Sequence, residues 1–233
     1  GYRAEGYQPE EVVNFLELLG WNPGDDREMM SMDELLQLFD LTKCSKKGAK
    51  FDYIKCQWFN KEYLLAQPAE AWVPAFAKII AAEGISDTPE RLATVVQLMR
   101  EKVVEVVQPD GTLRKRNISF VGDLWPLCRF FFVAPTAYDE KTTKKHWKPG
   151  TAKVMRELME VLRALPAFDA ETQEAAVHAW IEQQGLKMGE VMNPWRLMLV
   201  GEGKGPGMYD ITTFIGRDET LARMEQALLH LTD

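Results

Sequence analysis

Apolar positions recur every three or four residues along most of the chain, which predicts a protein built almost entirely of helices. The clearest stripe runs from Leu92 to Val103. The short apolar run Phe130–Val133 is β-like in composition but too short to be distinguished from a buried helix. The predicted helices cover residues 10–19, 31–39, 58–63, 68–83, 88–103, 151–162, 169–185, 189–199, 210–215 and 218–231.

Helix start and stop signals support this interpretation. Ser31-Met-Asp-Glu34 has the spacing of a capping box, and Thr88-Pro89 places an N-cap before a proline at the first helical position. Thr151 and Asp218 are predicted to cap later helices, and either Asp169 or Thr172 is predicted to open the helix that Gly185 ends. Pro74 is predicted to interrupt or kink another helix. The loops at 66–68 and near Gly150 are candidate boundaries between three parts of the chain.

The composition is that of an ordinary globular protein. Of 233 residues, 46% are hydrophobic and 27% are charged. No apolar run approaches the roughly 20 residues that span a bilayer, and the N-terminal stretch does not read as a signal peptide. Cys44, Cys56 and Cys128 are an odd number at wide spacing, which argues against disulfides and zinc and favours the reducing cytoplasm.

Charge is distributed unevenly along the chain. The net charge is −7, yet residues 40–61 hold six lysines against two aspartates, and residues 109–150 hold eight basic against four acidic residues. Each stretch has a local excess of +4, so the remainder carries −15. A basic track on an acidic body is typical of local polyanion binding, although solvated loops would give the same counts.

The motifs of self-contained enzymes are missing from the sequence. There is no phosphate-binding G-x-x-x-x-G-K-[ST] loop, no H-E-x-x-H, no Cys/His metal spacing and no G-x-S-x-G. The glycines of 201–207 follow no predicted strand, which argues against a nucleotide loop. The sequence alone therefore does not predict a free-standing enzyme.

Several segments together resemble one family of tRNA ligases. The most specific is Gly20–Glu28, which reads GWNPGDDRE. The similarity also includes residues 1–19, the helix from Ser31, Phe51–Asn60, Gly201–Ile211 and Ile215–Arg223, in the family's order. On these residues the chain is similar to the C-terminal half of a bacterial glutamyl-tRNA synthetase, and the resemblance is loose between residues 68 and 165.

The resemblance implies a parent protein that joins glutamate to tRNA(Glu) using ATP and magnesium. In the family these cofactors are bound by a preceding catalytic domain with H-I-G-H-like and K-M-S-K-S-like signatures. Neither signature is present in this sequence. We therefore expect this chain to hold no cofactor and to be inactive alone, and the family implies a cytoplasmic monomer that binds tRNA(Glu) and no membrane.

The resemblance also assigns three parts to the chain: a helical stem-contact segment at 1–66, followed by an all-α anticodon-binding bundle with helical subdomains at 67–150 and 151–233. In the first part the inner bend of the tRNA backbone would be contacted by lysines, which position a backbone without reading its sequence. These candidates are Lys43, Lys46, Lys47, Lys50 and Lys55.

The anticodon contacts implied by the family lie in the other two parts. They are Arg100, Lys102, His178, Arg196, Gly205, Pro206, Gly207 and Met208. Lys102 and His178 stand where relatives can carry arginine, and lysine lacks the planar fork of a guanidinium. Taken without the resemblance, Arg100 and Arg196 could equally be solvated or ion-paired helix residues. The alternative function is a helical protein-interaction module with no RNA role, which the acidic remainder of the chain would suit.

Overall fold

The computed structural model describes residues 1–46, 48–107 and 111–231, and this part of the chain is helical apart from one hairpin. The prediction of a mainly α fold is confirmed. The helices are α1 (Tyr2–Glu5), α2 (Pro9–Gly20), α3 (Met32–Leu38), α4 (Tyr53–Ala66), α5 (Ala69–Ala82), α6 (Pro89–Met99), α7 (Leu124–Cys128), α8 (Glu140–His146), α9 (Thr151–Ala164), α10 (Ala170–Gln184), α11 (Met188–Val200), α12 (Met208–Ile215) and α13 (Arg217–His230). The hairpin strands are β1 (Val103–Val107) and β2 (Leu113–Asn117), and single 3-10 turns lie at Leu41–Lys43, Val121–Asp123 and Arg129–Phe131.

The chain forms two compact units, Gly1–Pro126 and Leu127–Asp233. The three-part division at residues 66 and 150 stays a prediction. Within the described residues no helix has both the length and the apolar character needed to cross a membrane.

The first unit is organised around the packing of α2 against α4. Tyr7, Phe15, Cys56 and Phe59 form its core cluster. Glu11 is fully buried beside this cluster, where the Cys56 thiol lies 3.5 Å from its Oε1. Removal from water disfavours the carboxylate and raises the pKa of Glu11 to about 7.

Helices α5 and α6 pack against each other in the same unit. Helix α5 runs through Pro74 without interruption, so the predicted interruption is wrong, while the alternative of a kink at Pro74 stays a prediction. Helix α6 ends at Met99 rather than at Val103, which instead begins β1. Val103 continues the helical spacing of the apolar residues in α6, so the sequence pattern does not show that the helix has ended.

The hairpin was missed by sequence analysis, which extended a helix to Val103 and predicted no strand at these residues. Its antiparallel register pairs Val103 with Asn117 and Val107 with Leu113, and Gln108–Asp110 lie outside the described residues. Strand β2 has the sequence LRKRN and lacks apolar alternation. The C-terminal end of β2 is held by a residue outside the strand, because both Arg116 Nη atoms donate to the Asp123 carboxylate at 2.6 and 2.8 Å.

The second unit is a bundle in which α9, α11 and α13 pack against one another and α12 contacts both α10 and α13. Arg223 of α13 is buried at 3% exposure and donates to the Phe130 and Leu199 carbonyl oxygens. Phe130 and Phe131 are buried in a 3-10 turn, so the β-like interpretation of this run is wrong. Burial against helices, rather than pairing with a strand, explains the apolar run.

Most of the predicted helix boundaries are confirmed by hydrogen bonds. Ser31 and Glu34 form the reciprocal capping box, and the Thr88 hydroxyl accepts from the Arg91 backbone. The Asp169 side chain caps α10, which ends at Gly185 in the left-handed conformation. The predictions for the other two caps are wrong: glycines occupy the N-caps of α9 and α13, Gly150 and Gly216, with Thr151 and Asp218 inside the first turn.

Candidate nucleic-acid interface

Arg196 of α11 is held at the glycine-rich loop that follows the helix. Its Nη1 donates to the Pro206 carbonyl oxygen at 2.7 Å. A Cβ on Gly205 would lie 2.9 Å from this nitrogen, and the Gly205 φ of +150° is one that side-chain-bearing residues rarely adopt. The guanidinium is half-buried, and burial lowers its pKa. The backbone conformation therefore favours glycine at position 205, and a Cβ there would displace the end of the Arg196 side chain.

The loop leads directly into α12. Gly207 is the N-cap of this helix and is exposed, while Pro206 and Met208 are buried. Met208 is 3% exposed, so its side chain belongs to the core and only the backbone around it is available to a ligand. The surface of the loop consists of exposed glycine backbone beside a guanidinium.

His178 lies at the edge of this same arrangement. Its imidazole is 45% exposed, with Nε2 4.0 Å from a Glu174 carboxylate oxygen, and its ring centroid is 6.1 Å from that of Tyr209. Tyr209 packs edge-on against the buried Trp195. The structure thus brings His178, Arg196 and the loop of Gly205–Met208 into one neighbourhood of the second unit.

Tyr209 is a residue of this neighbourhood that the sequence analysis missed. Its hydroxyl oxygen is buried with no hydrogen-bond partner among the described residues. Burial, reinforced by the Glu174 charge, raises its pKa to about 12. The only sequence signal was its position directly after the predicted loop.

Arg100 and Lys102 belong to the first unit and have different surroundings. Arg100 follows the last residue of α6, and its Nη1 donates to the Gln67 carbonyl oxygen at 3.0 Å. Its Nε is buried without a hydrogen-bond partner among the described residues. Lys102 is exposed, and its backbone joins α6 to the hairpin through hydrogen bonds with Met99 and Ile118. Arg100 is therefore partly a structural residue, whereas the Lys102 side chain is free to reach a ligand.

The lysines predicted to contact the tRNA backbone lie in the segment between Leu41 and α4, except for Lys55, which lies in the first turn of α4. Lys43, Lys46 and Lys50 are exposed and form no ion pair within the described part of the chain, whereas Lys55 pairs with Glu28. This segment is attached to the end of α2 by a 2.6 Å hydrogen bond from the Ser45 amide to the Gly20 carbonyl. Lys47 lies outside the described residues.

No group of three or more His, Cys, Asp or Glu side chains in the described residues is arranged to hold a metal ion. The interface is accordingly built from guanidinium, ammonium and backbone groups. These groups are donors suited to polyanions and to the hydrogen-bonding edges of unpaired bases.

A mainly helical domain with such donors fits an RNA-binding role, and comparison with known families gives a specific assignment. Residues 65–228 match the family described as the anticodon binding domain. Residues 1–58 match the family described as the catalytic domain of class I tRNA synthetases for E and Q. The chain belongs to the anticodon-binding-domain family, with part of a class I synthetase catalytic domain preceding it.

Similar proteins include several bacterial glutamate–tRNA ligases. The ligase of Phocaeicola vulgatus is 51% identical over 98% of this chain, and that of Flavobacterium johnsoniae is 41% identical over the same share. A crystal structure of the Elizabethkingia meningosepticum glutamate tRNA ligase with its amino acid matches all of this chain and 43% of its own, with a TM-score of 0.87 and 40% identity. The chain spans about 42% of the length of the curated relatives it matches. It resembles the C-terminal half of a bacterial glutamyl-tRNA synthetase, as predicted from the sequence.

Proposed function

We propose that this chain recognises tRNA(Glu) by binding its anticodon and the inner bend of its backbone, as part of a glutamate–tRNA ligase. The whole protein would join glutamate to this tRNA with ATP and magnesium in the cytoplasm, as a monomer. We assign no residue of this chain to ATP or to magnesium, and we expect the chain alone to bind tRNA without charging it.

The observation that carries the proposal is the junction of Arg196 with Gly205 and Pro206. In a family defined by anticodon binding, this junction holds a partly buried guanidinium against exposed glycine backbone. Loop bases of RNA can be splayed out and hydrogen-bonded on their edges, and this recognition needs fixed donors with open space above them. Gly205 and Gly207 are exposed and carry no side chains of their own, so their backbone is uncovered beside the guanidinium.

The other predicted residues take roles that fit their surroundings. Lys102 is an exposed point donor for the first anticodon base, and His178 flanks the loop of the second unit. Lys43, Lys46 and Lys50 are exposed and have no ion pair among the described residues, which leaves them available for phosphates. Lys55 would exchange Glu28 for a phosphate on binding. The protein-interaction alternative has no support in the family matches or in the relatives.

The test is to measure the affinity of the chain for tRNA(Glu) and for the same tRNA with its three anticodon bases replaced. Each affinity is measured at two salt concentrations. We expect the altered tRNA to bind more weakly at both. Equal binding that disappears at higher salt would reduce the function to a polyanion-binding surface, because released counterions, not bases, would then account for the affinity. An absence of binding to either tRNA would contradict the proposal.

A further inference from the structure

Four lysines lie on one exposed face of the segment that contains α8. Lys141, Lys144 and Lys145 lie within the helix, and Lys148 follows it by two residues. Lys141, Lys144 and Lys145 are spaced by three and four residues, which places their side chains on the same face of the helix. The Lys148 ammonium lies at the end of this helix, where it donates to the Lys144 carbonyl oxygen at 2.5 Å. All four are exposed, so the stripe is a surface feature of the second unit.

The opposite face of this segment is packed into the protein. Thr142, Thr143 and His146 are half-buried, and Trp147 is 7% exposed. Helix α8 packs against α11, the helix that carries Arg196. This packing fixes the rotation of α8, so the lysine face has a defined direction rather than a mobile one.

The start of α8 is joined to the glycine-rich loop at 201–207. The Asp139 amide donates to the Gly201 carbonyl oxygen at 2.8 Å. The Thr142 hydroxyl oxygen is 3.2 Å from the position that a Cβ on Gly203 would take. Hydrogen bonds from Thr142, together with the nearby Lys141 and Lys204 charges, hold the pKa of Asp139 below its ordinary value. The lysine face therefore adjoins the loop that continues into the predicted anticodon contacts.

Acidic neighbours do not neutralise the lysine face. Asp139 is used as the cap of α8, where its Oδ2 accepts from the Thr142 amide at 2.6 Å. Glu140 pairs with Lys144 at 3.1 Å, but both side chains are about four-fifths exposed, and exposed pairs of this kind are weak. Lys141 and Lys145 have no ion pair in the described part of the chain. Positive charge on this face is available to an incoming polyanion.

We propose that Lys141, Lys144, Lys145 and Lys148 bind the phosphate backbone of the tRNA strand next to the bases contacted at the Gly205 loop. This inference rests on the proposed function and adds a binding surface to it. The helical lysines from Lys141 to Lys145 span a rise of about 6 Å, which is the length of about two phosphates of one strand, and Lys148 lies just beyond them. Lysine ammonium groups are point charges without a planar fork, so the surface strengthens and orients binding without reading sequence.

The test uses the whole 233-residue chain and two transcripts, tRNA(Glu) and its anticodon-replaced form. The variants are Lys145→Ala, the double variant Lys141→Ala/Lys145→Ala, and the charge-preserving Lys145→Arg. Lys187→Ala is the matched control, because Lys187 is also exposed in the second unit but precedes α11. The 13 residues of that helix separate it by about 20 Å from the end that meets Gly201. Circular dichroism checks that each variant is folded.

Each lost phosphate contact reduces the slope of log affinity against log salt by about 0.7 to 0.9. The double variant should therefore have a slope that is smaller by about 1.5. The ratio of wild-type affinity to double-variant affinity should then fall about eightfold between 50 and 200 mM salt. Both transcripts should be weakened by the same factor, while Lys145→Arg and Lys187→Ala stay near the wild type.

Two results would overturn the inference. In the first, the double variant has the affinity and slope of the wild type, and the wild type still distinguishes the two transcripts. This result would refute the binding role of the α8 lysines but not the proposed function. A wild-type chain that does not distinguish the two transcripts would instead refute the proposed function, and the α8 inference with it.

Discussion

Replacing Gly205 by alanine perturbs the contact between Arg196 and the glycine-rich loop. The new Cβ would lie 2.9 Å from Arg196 Nη1, so the guanidinium has to move away from the Pro206 carbonyl oxygen that it now contacts at 2.7 Å. An unfavourable backbone conformation costs about 1 to 3 kcal/mol, and a lost hydrogen bond to a charged group about 1.5 to 3 kcal/mol. Gly205→Ala should therefore lower the free energy of unfolding by about 2.5 to 6 kcal/mol.

Urea denaturation measures this loss, and Gly185→Ala is the matched control. Gly185 also has a positive φ, +66°, but nothing lies within 4 Å of the Cβ that it would gain. The control should therefore cost only the left-handed backbone penalty of about 1 to 2 kcal/mol. Equal losses in the two variants would refute the reasoning, because the Arg196 contact would then contribute nothing to the conformation of the loop.

Three further predictions concern the first unit. Because burial raises the pKa of Glu11 to about 7 from 4.5, the folded chain keeps a proton that the unfolded chain has lost between these values. The free energy of unfolding should thus fall by up to about 3 kcal/mol as pH rises through this window, and urea titrations of Glu11→Gln should show a flatter profile. Asp123→Ala removes the carboxylate to which Arg116 donates twice and which also accepts from the Ser119 and Phe120 amides, and it should cost about 2 to 4 kcal/mol in the same assay. Arg100→Ala should lower stability by about 1 to 2 kcal/mol through the lost bond to a backbone carbonyl, whereas Lys102→Ala should leave stability unchanged and weaken tRNA binding.

Each of these three has a clear contrary result. A pH profile of wild-type stability that rises between pH 5 and 7 would contradict the buried-acid account of Glu11. Unchanged stability of Asp123→Ala would mean that the hairpin is held by its own ladder. Equal loss of stability in Arg100→Ala and Lys102→Ala would remove the distinction between a structural and an exposed basic residue.

The helices could be predicted because their signals are local. The Ser31–Glu34 capping box and the Thr88 cap each depend on residues three positions apart, and both are present as predicted. The hairpin could not be predicted in the same way. Strand β2 carries no strand pattern of its own, and it is fixed by pairing with β1 and by the Arg116–Asp123 contact. Tertiary contacts of this kind override local preference.

The candidate site residues could be predicted from the resemblance to the synthetase family, and only in part from the pattern of residues along the sequence. Arg196 and the loop of Gly205 could be named from the family motif, but their hydrogen bond depends on how α11 ends and the chain turns back. The burial of Met208 and the contact of Arg100 with Gln67 depend on packing between elements. The α8 lysines were visible as a charge excess, while their common face and their junction with Gly201 were not.

The most direct test of the central claim is the ratio of dissociation constants for the anticodon-replaced and unmodified tRNA(Glu), measured for the wild type and for Arg196→Lys. Lysine preserves the charge but lacks the planar fork, so a change in the ratio reports base reading rather than general attraction. The account predicts a wild-type ratio of about ten or more, equal to about 1.4 kcal/mol, that falls toward one in a folded Arg196→Lys variant. A ratio of one in the wild type, or an unchanged ratio in the variant, would contradict it.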